Sequence, residues 1–230
     1  MILELFHAWL SKPNLKSLVY PIVGDLVYAL IYYQQISYSQ LQNYIADANE
    51  FVVDENEDLY STHSLSIRSS SNRLIIELIH QNASAKNEQF LPTIIQSIAR
   101  RVNETENARE LHHTTDQWWK LREAALMALG NSVPQLMKAI SKSSTKSKKN
   151  KEKTKQNFCF PIEYFVALQK DASHPNSFLV YQALVCAAKC ARFIPDYNSI
   201  LPYFDATVNW FVITLLFSFF TCNFIKQILS

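Results

Sequence analysis

The sequence is poor in glycine and lacks the spaced motifs of common enzymes. Only 2 of its 230 residues are Gly, so phosphate-binding loops and tight β-hairpins have almost no material to form from. No HExxH, GxSxG, GxxxxGK or GxGxxG motif occurs. The 4 Cys form no CxxC pair, which indicates buried thiols in a reducing compartment. We therefore expect no enzyme, no metal site and no cofactor.

The amino terminus also lacks the pattern of a signal peptide. Glu4, His7 and Trp9 fall where an unbroken apolar run would be needed. We expect no such peptide here.

The net charge of +2 hides a strong local asymmetry. Residues 141–156 contain seven Lys and one Glu, so the rest of the chain carries −4. We predict a Lys-rich disordered insertion over residues 141–157, because such a segment cannot bury apolar surface. A solvated insertion with no direct nucleic-acid contact is favoured over nucleic-acid binding, a nuclear localisation signal, or shielding of an acidic groove. Its candidate partner contacts are Lys146, Lys148, Lys149 and Lys151.

A second charged segment is acidic and is predicted to be a loop over residues 49–61. Such clusters are usually solvated loops, but in a receptor for basic proteins one would steer binding by its electrostatic potential. Its candidate partner contacts are Asp54, Glu55, Glu57 and Asp58.

Apolar residues recur at helical spacing along most of the chain. Residues 18–31 repeat apolar pairs every four residues, with Pro21 either kinking this helix or marking its first turn. A short helix over 39–48 and a helix pair over 64–80 and 87–102 are predicted next. Further helical stripes begin at Trp118 and Phe178, whereas no long stretch alternates with period two. The fold class is therefore all-α.

Prolines near the start of apolar runs favour a repeat. Pro92 and Pro134 are 42 residues apart, and Pro161 and Pro202 are 41 apart. A period of about 40 to 47 residues is typical of HEAT or armadillo (ARM) helical hairpins. These spacings predict an α-solenoid, with an irregular helical bundle as the alternative.

Two local features have structural interpretations. Cys186 and Cys190 are four residues apart and are predicted to be small hydrophobic residues in a helix seam. In the Trp118–Trp119 pair, one ring is predicted on the core stripe and the other on its flank.

The segment over residues 210–230 differs from the rest of the chain. Residues 210–225 contain no charge, yet they are fewer than the roughly 20 apolar residues that normally span a bilayer. We predict a divergent hydrophobic tail, and a membrane partner only if it is a real anchor. The alternative function is therefore a tail-anchored membrane protein with a cytosolic helical interaction domain. A helical enzyme is least supported, because no pairing of titratable residues suggests a pocket.

Three segments resemble the middle section of the importin-β (karyopherin) superfamily of nuclear transport receptors. They are residues 41–68 (LQNYIADANEFVVDENEDLYSTHSLSIR), residues 117–130 (QWWKLREAALMALG) and the helix over 178–192. The similarity covers approximately residues 15–208.

The resemblance implies a HEAT-repeat solenoid segment over residues 1–209 that carries basic protein cargo, such as histones and ribosomal proteins, into the nucleus. It also implies contacts with nuclear pore proteins, control by the Ran GTPase, and localisation in cytoplasm and nucleus. Family members are several times longer, and their main Ran contact lies in amino-terminal repeats that are not expected here. In this layout 117–140 and 161–171 form one repeat around the Lys-rich loop, and Pro134 bends the first helix.

Overall fold

The computed structural model describes residues 2–12, 18–56, 66–82, 90–111, 117–146 and 162–191. Across these ranges the chain forms nine α-helices and no strand, which confirms the all-α prediction. The chain divides into two compact units, residues 1–157 and 158–230. The predicted boundary between residues 209 and 210 lies outside the described ranges.

The helices of the first unit follow one another through short connections or segments outside the described residues. They are α1 (Ile2–Leu10), α2 (Val23–Tyr33), α3 (Tyr38–Ala46), α4 (Ala48–Asn56), α5 (Ile67–Asn82), α6 (Phe90–Leu111) and α7 (Trp118–Lys146). The second unit contains α8 (Ile162–Ala172) and α9 (Ser177–Cys190).

Local sequence signals explain several helix starts. Pro21 lies in a 3-10 turn, Tyr20–Ile22, directly before α2, where proline costs no helical hydrogen bond. Ser37 begins α3 with a capping box, because its hydroxyl accepts from the Gln40 amide at 3.2 Å and its own amide donates to Gln40 Oε1 at 3.1 Å. Asn176 caps α9, because its Oδ1 accepts from the Phe178 and Leu179 amides, both at 3.1 Å.

Helices α2 and α6 pack side by side and run in the same direction. Gly24 lies level with Thr93 and Ser97, and one turn later Tyr28 lies level with Glu104. This contact stacks the first helix of one helix pair on the first helix of the next.

Helices α6 and α7 form an antiparallel hairpin. Near the turn, the Arg109 guanidinium lies 5.9 Å from the Trp118 ring centre. Farther along, Arg122 is fully buried and donates to the Val102 carbonyl at 2.8 Å and to the Thr105 hydroxyl at 3.3 Å. These hydrogen bonds compensate for burying the charged group.

Helix α5 packs on α1, α2 and α7 but makes only a small contact with α6. Its start lies beside the end of α2, since Arg68 donates to the Gln34 carbonyl. The pairs α2/α5 and α6/α7 therefore stack with first helix on first helix and second on second. This arrangement is compatible with an α-helical repeat. The predicted pair over 64–80 and 87–102 exists as two helices, but α6 packs mainly on α2 and α7.

The core of the first unit is aliphatic. Its fully buried side chains include Val27, Ile31, Leu74, Leu78, Ile79, Ile94, Ala124 and Ala125. One ring lies in the core and its neighbour on the flank, as predicted, but Trp119 is the buried ring and Trp118, where the predicted stripe begins, is half-buried.

The position of Pro134 in its helix differs from the position that the predicted repeat requires. Pro92 lies in the first turn of α6, whereas Pro134 lies inside α7. The two prolines are therefore not equivalent, and their 42-residue spacing does not mark a repeat. The exposed Pro134 ring faces away from the core, which is compatible with helix on both sides. The prolines at 161 and 202 lie outside the described residues.

The prediction of a disordered Lys-rich insertion over 141–157 is wrong for residues 141–146. Residues 141–146 form the last turns of α7, and residues 147–157 lie outside the description. Helix propagation explains the difference, because extending a helix that is already nucleated costs far less than starting one.

The second unit contains the two helices predicted over 161–171 and 178–192, which pack on each other. The thiols of Cys186 and Cys190 are buried on α9, as predicted. Among the described helices, none is both long and apolar enough to cross a membrane. The hydrophobic tail over residues 210–230 lies outside those helices.

Candidate functional site

The strongest candidate site is an acidic surface on α3 and α4. The sequence from residue 17 to residue 67 contains seven carboxylates and no Lys or Arg. Exposed carboxylates lie on α4 and at Asp47, which joins the two helices, and exposed apolar side chains lie on both helices. We define the acidic surface by these residues: Asp47, Glu50, Asp54, Tyr38, Ile45 and Val53.

Contacts within the helix pair hold this surface together. The rings of Tyr44 and Phe51 are both buried and pack edge to face, with centres 5.2 Å apart. The Tyr44 hydroxyl donates to Asp54 Oδ2 at 2.6 Å, which fixes one acidic side chain. Asp47 accepts from the Asn49 amide at 2.9 Å at the start of α4. Burial, followed by the hydrogen bond to Asp54, raises the pKa of Tyr44 above its usual value.

Glu55, beside Asp54, turns inward instead. Its Oε1 accepts from Arg68 Nη2 at 2.6 Å and from Nε at 3.0 Å. The same guanidinium binds Glu123 on α7, through Nη1 to Oε2 at 2.9 Å and Nη2 to Oε1 at 2.5 Å. We call Glu55, Arg68 and Glu123, with the Gln34 carbonyl, the Arg68 cluster. It joins α4 to the end of α2, to the start of α5 and to α7.

The Arg68 cluster is nearly closed to solvent. The exposed fractions of the Arg68, Glu55 and Glu123 side chains are 5%, 7% and 0%. Burial by itself lowers the pKa of Arg68, but the carboxylates of Glu123 and Glu55 outweigh it and the pKa lies above its usual value. Burial raises the pKa of Glu123, and the Arg68 charge opposes that shift. The cluster is an anchor for α4 and leaves no open space for a ligand.

The structure separates the predicted acidic residues into different roles. Asp54 is exposed on the acidic surface, whereas the prediction of a solvated loop is wrong for Glu55. Residues 49–56 are also helical, because the Tyr44–Phe51 contact and the Arg68 cluster hold α4 in place. Glu57 and Asp58 lie outside the described residues.

The predicted basic residues are less fully described. Lys146 is the last residue of α7. Lys148, Lys149 and Lys151 lie outside the described residues.

Sequence reasoning missed both Arg68 and Glu123. The available signal for Glu123 was a charge inside the apolar run of residues 121–129, where a charged side chain needs a buried partner. The wider signal for the acidic surface was the absence of Lys and Arg between residues 17 and 67.

Within the described ranges, no group of three or more His, Cys, Asp or Glu is placed to hold a metal ion. No protein-family model matches the chain. The exposed carboxylates of the acidic surface attract positively charged groups.

Proposed function

We propose that this chain is a section of a helical-repeat receptor that binds basic protein segments on the acidic surface. The observation that carries the proposal is the set of exposed carboxylates on α4 and on Asp47, which joins α3 to α4, in a stretch of sequence without a single Lys or Arg. The resemblance to the importin-β superfamily supports a more specific role in carrying basic cargo, such as histones and ribosomal proteins, into the nucleus. Ran control and contacts with nuclear pore proteins belong to the same proposal.

The proposed architecture is an α-solenoid of HEAT-type hairpins. Its support is the stacking of α2 on α6 and of α5 on α7, with α1 continuing the second layer on α5. Each hairpin in such a stack buries its neighbour's apolar face and leaves a long outer surface for a partner.

The acidic surface supplies two kinds of interaction. Asp47, Glu50 and Asp54 attract Lys-rich and Arg-rich segments over a distance set by ionic strength. Tyr38 and Ile45 have exposed fractions of 74% and 67%, so they offer apolar contact to the same partner. Affinity accumulates from several weak contacts, and no bond is made or broken.

A titration with a fluorescein-labelled core-histone tail peptide tests this proposal. We expect Asp47→Asn with Glu50→Gln to weaken binding by about three- to tenfold at low salt, because each exposed ion pair contributes up to about 1 kcal/mol. Asn at position 47 retains an oxygen that caps α4. Fluorescence anisotropy at about 50 mM and about 500 mM NaCl measures both the loss and its salt dependence.

The matched control removes two carboxylates elsewhere, through Glu4→Gln with Glu110→Gln, and changes the net charge equally. We expect this variant to bind nearly as well as the wild type. Equal weakening by both variants would indicate a general charge effect, and binding unaffected by salt would contradict the electrostatic proposal.

A further inference from the structure

A groove of about 550 Å³ lies between α2 and α6, and no residue of the acidic surface lines it. Gly24 brings the two helices together at its floor, since a Cβ there would lie 2.9 Å from Thr93 Cγ2. The α6 wall presents three primary amides to the groove, those of Gln96, Asn103 and Asn107. All three side chains are exposed, and none has a hydrogen-bond partner among the described residues.

The three amides form a row along one face of α6. Positions 96, 103 and 107 fall within about 40° of one another around a helix with 3.6 residues per turn. The row is about 16 Å long at a rise of 1.5 Å per residue, which matches about five residues of extended chain at 3.3 Å each. The step of about 6 Å from Asn103 to Asn107 is close to the two-residue repeat of an extended chain.

The charges beside this row are largely neutralised. Glu104 accepts from the Tyr28 hydroxyl at 2.6 Å, from Arg100 Nε at 3.0 Å and from Arg101 Nη1 at 3.2 Å. Arg101 also donates to the Tyr28 carbonyl at 3.1 Å, so these hydrogen bonds join α6 to α2 without a ligand. Asp25 is the remaining groove carboxylate, and it has no ion pair among the described residues.

We propose that this groove binds an extended polypeptide segment through its main chain. A primary amide both donates and accepts, so it can pair with the N–H and C=O groups of a peptide unit. Because the amides are uncharged, this binding is independent of partner charge, unlike binding at the acidic surface. A carbohydrate is a poorer fit, since the Tyr28 ring is already covered by Arg101 at 3.3 Å and Arg100 at 4.3 Å from its centre.

The test uses the full chain labelled with ¹⁵N and a neutral, end-capped peptide of alternating Ser and Thr, about nine residues long to exceed the row. We expect the side-chain NH₂ signals of Gln96, Asn103 and Asn107 to shift together and saturate. An analogue in which alternate peptide N–H groups are replaced by ester oxygens removes main-chain donors. Its Kd should rise at least about tenfold, because several hydrogen bonds are lost.

Variants separate the amide row from the rest of the groove. The triple substitution Gln96→Ala, Asn103→Ala and Asn107→Ala should weaken binding at least about tenfold, whereas Asp25→Asn should change it less than about twofold. All these positions are exposed, so circular dichroism should show unchanged helix content. Binding should also stay constant between about 50 and 500 mM NaCl, which distinguishes it from the histone-peptide test.

Three outcomes would overturn the proposal. They are no shift of these amide signals at millimolar peptide, shifts confined to α3 and α4, or equal affinity of the ester analogue. Maltopentaose serves as the carbohydrate probe, and saturable shifts of the same amides by this sugar alone would also overturn it. Failure here would leave the acidic surface unaffected, because the two tests differ in probe, residues and salt dependence.

Discussion

Arg68 and Glu123 meet as a two-hydrogen-bond ion pair, with Nη1–Oε2 and Nη2–Oε1 distances of 2.9 Å and 2.5 Å. Both side chains are buried, and Arg68 is at the same time the partner of Glu55. One cation therefore holds two carboxylates that would otherwise repel each other in a medium of low polarity. The position of α4, and with it the acidic surface, depends on this cation.

The first prediction concerns removal of that cation. Arg68→Met leaves Glu55 and Glu123 buried without a positive partner, so we expect a loss of about 3 to 5 kcal/mol in the free energy of unfolding. Chemical denaturation measures this change. The matched control is Arg100→Met, which removes an exposed pair with Glu104 and should cost at most about 1 kcal/mol. A similar small loss for both variants would contradict the anchoring role of the Arg68 cluster.

The second prediction concerns the close approach of α2 and α6. Gly24→Ala places a methyl group 2.9 Å from Thr93 Cγ2 and 3.3 Å from Ser97 Oγ, so one helix must shift. We expect a net destabilisation of about 1 to 2 kcal/mol, because the overpacking outweighs the better helix propensity of Ala. Thermal unfolding measures it.

Relief of that clash provides the control. Thr93→Ser removes Cγ2, so the double variant with Gly24→Ala should recover most of the lost stability. If the stability losses of the two single variants simply add in the double variant, the clash with Thr93 Cγ2 is not the cause of the destabilisation by Gly24→Ala.

The third prediction concerns acid and the attachment of α1 to α5. His7 Nε2 is buried and has no hydrogen-bond partner within the described residues. Burial and then the charge of Arg73 lower the pKa of His7, while the Ser70 backbone and Glu77 act in the opposite direction. The folded state thus favours neutral His7. Its stabilising contribution is complete above pH 6.5 and is lost as the pH falls through the lowered pKa.

Thermal unfolding at pH 7.5 and pH 5 checks this direction, with His7→Gln as the comparison. The wild type should lose more stability on acidification than the variant does. The comparison is needed because the raised pKa of Glu123 favours folding in acid and acts in the opposite direction. Equal pH dependence of the two proteins would contradict the prediction.

The fourth prediction concerns the hydrogen bond between Tyr44 and Asp54. Tyr44→Phe removes a 2.6 Å contact to a carboxylate, and we expect a loss of about 1 to 2 kcal/mol at neutral pH. The raised pKa of Tyr44 means that its stabilisation is present below pH 10 and is lost as the pH rises further. Urea unfolding at pH 7 and pH 10.5 should show a larger alkaline loss in the wild type than in the variant, which keeps the contribution of Tyr28, whose pKa is also raised. Tyr38→Phe, at an exposed position, should match the wild type at pH 7.

Helical periodicity predicted much of the fold because the relevant interactions are local. The apolar spacing over 18–31 predicted most of α2, and its residues Val27, Leu30 and Ile31 are buried. The stripe that begins at Phe178 predicted the helix α9 but not its buried face, because Phe178 is half-buried and the core residues are Leu179, Ala183 and Cys186. Side-chain spacing therefore predicted both helices, but it predicted the buried face only for α2.

The acidic helix and its anchor could not be predicted in the same way. Helix α4 contains several carboxylates and only a few apolar residues, so its sequence resembles a solvated loop. Its anchor is a charge pair between Glu55 and Arg68, 13 residues apart, completed by Glu123 a further 55 residues along the chain. Such contacts depend on the packing of three helices, which no local pattern specifies.

The two cysteines of α9 provide a means of following local opening. Because Cys186 and Cys190 are buried in the helix seam, a thiol-alkylating reagent reaches them only when that seam separates. The rate at which these two sulfurs are alkylated therefore measures how often the α8/α9 hairpin opens locally. Mass spectrometry of the corresponding peptide would measure that rate.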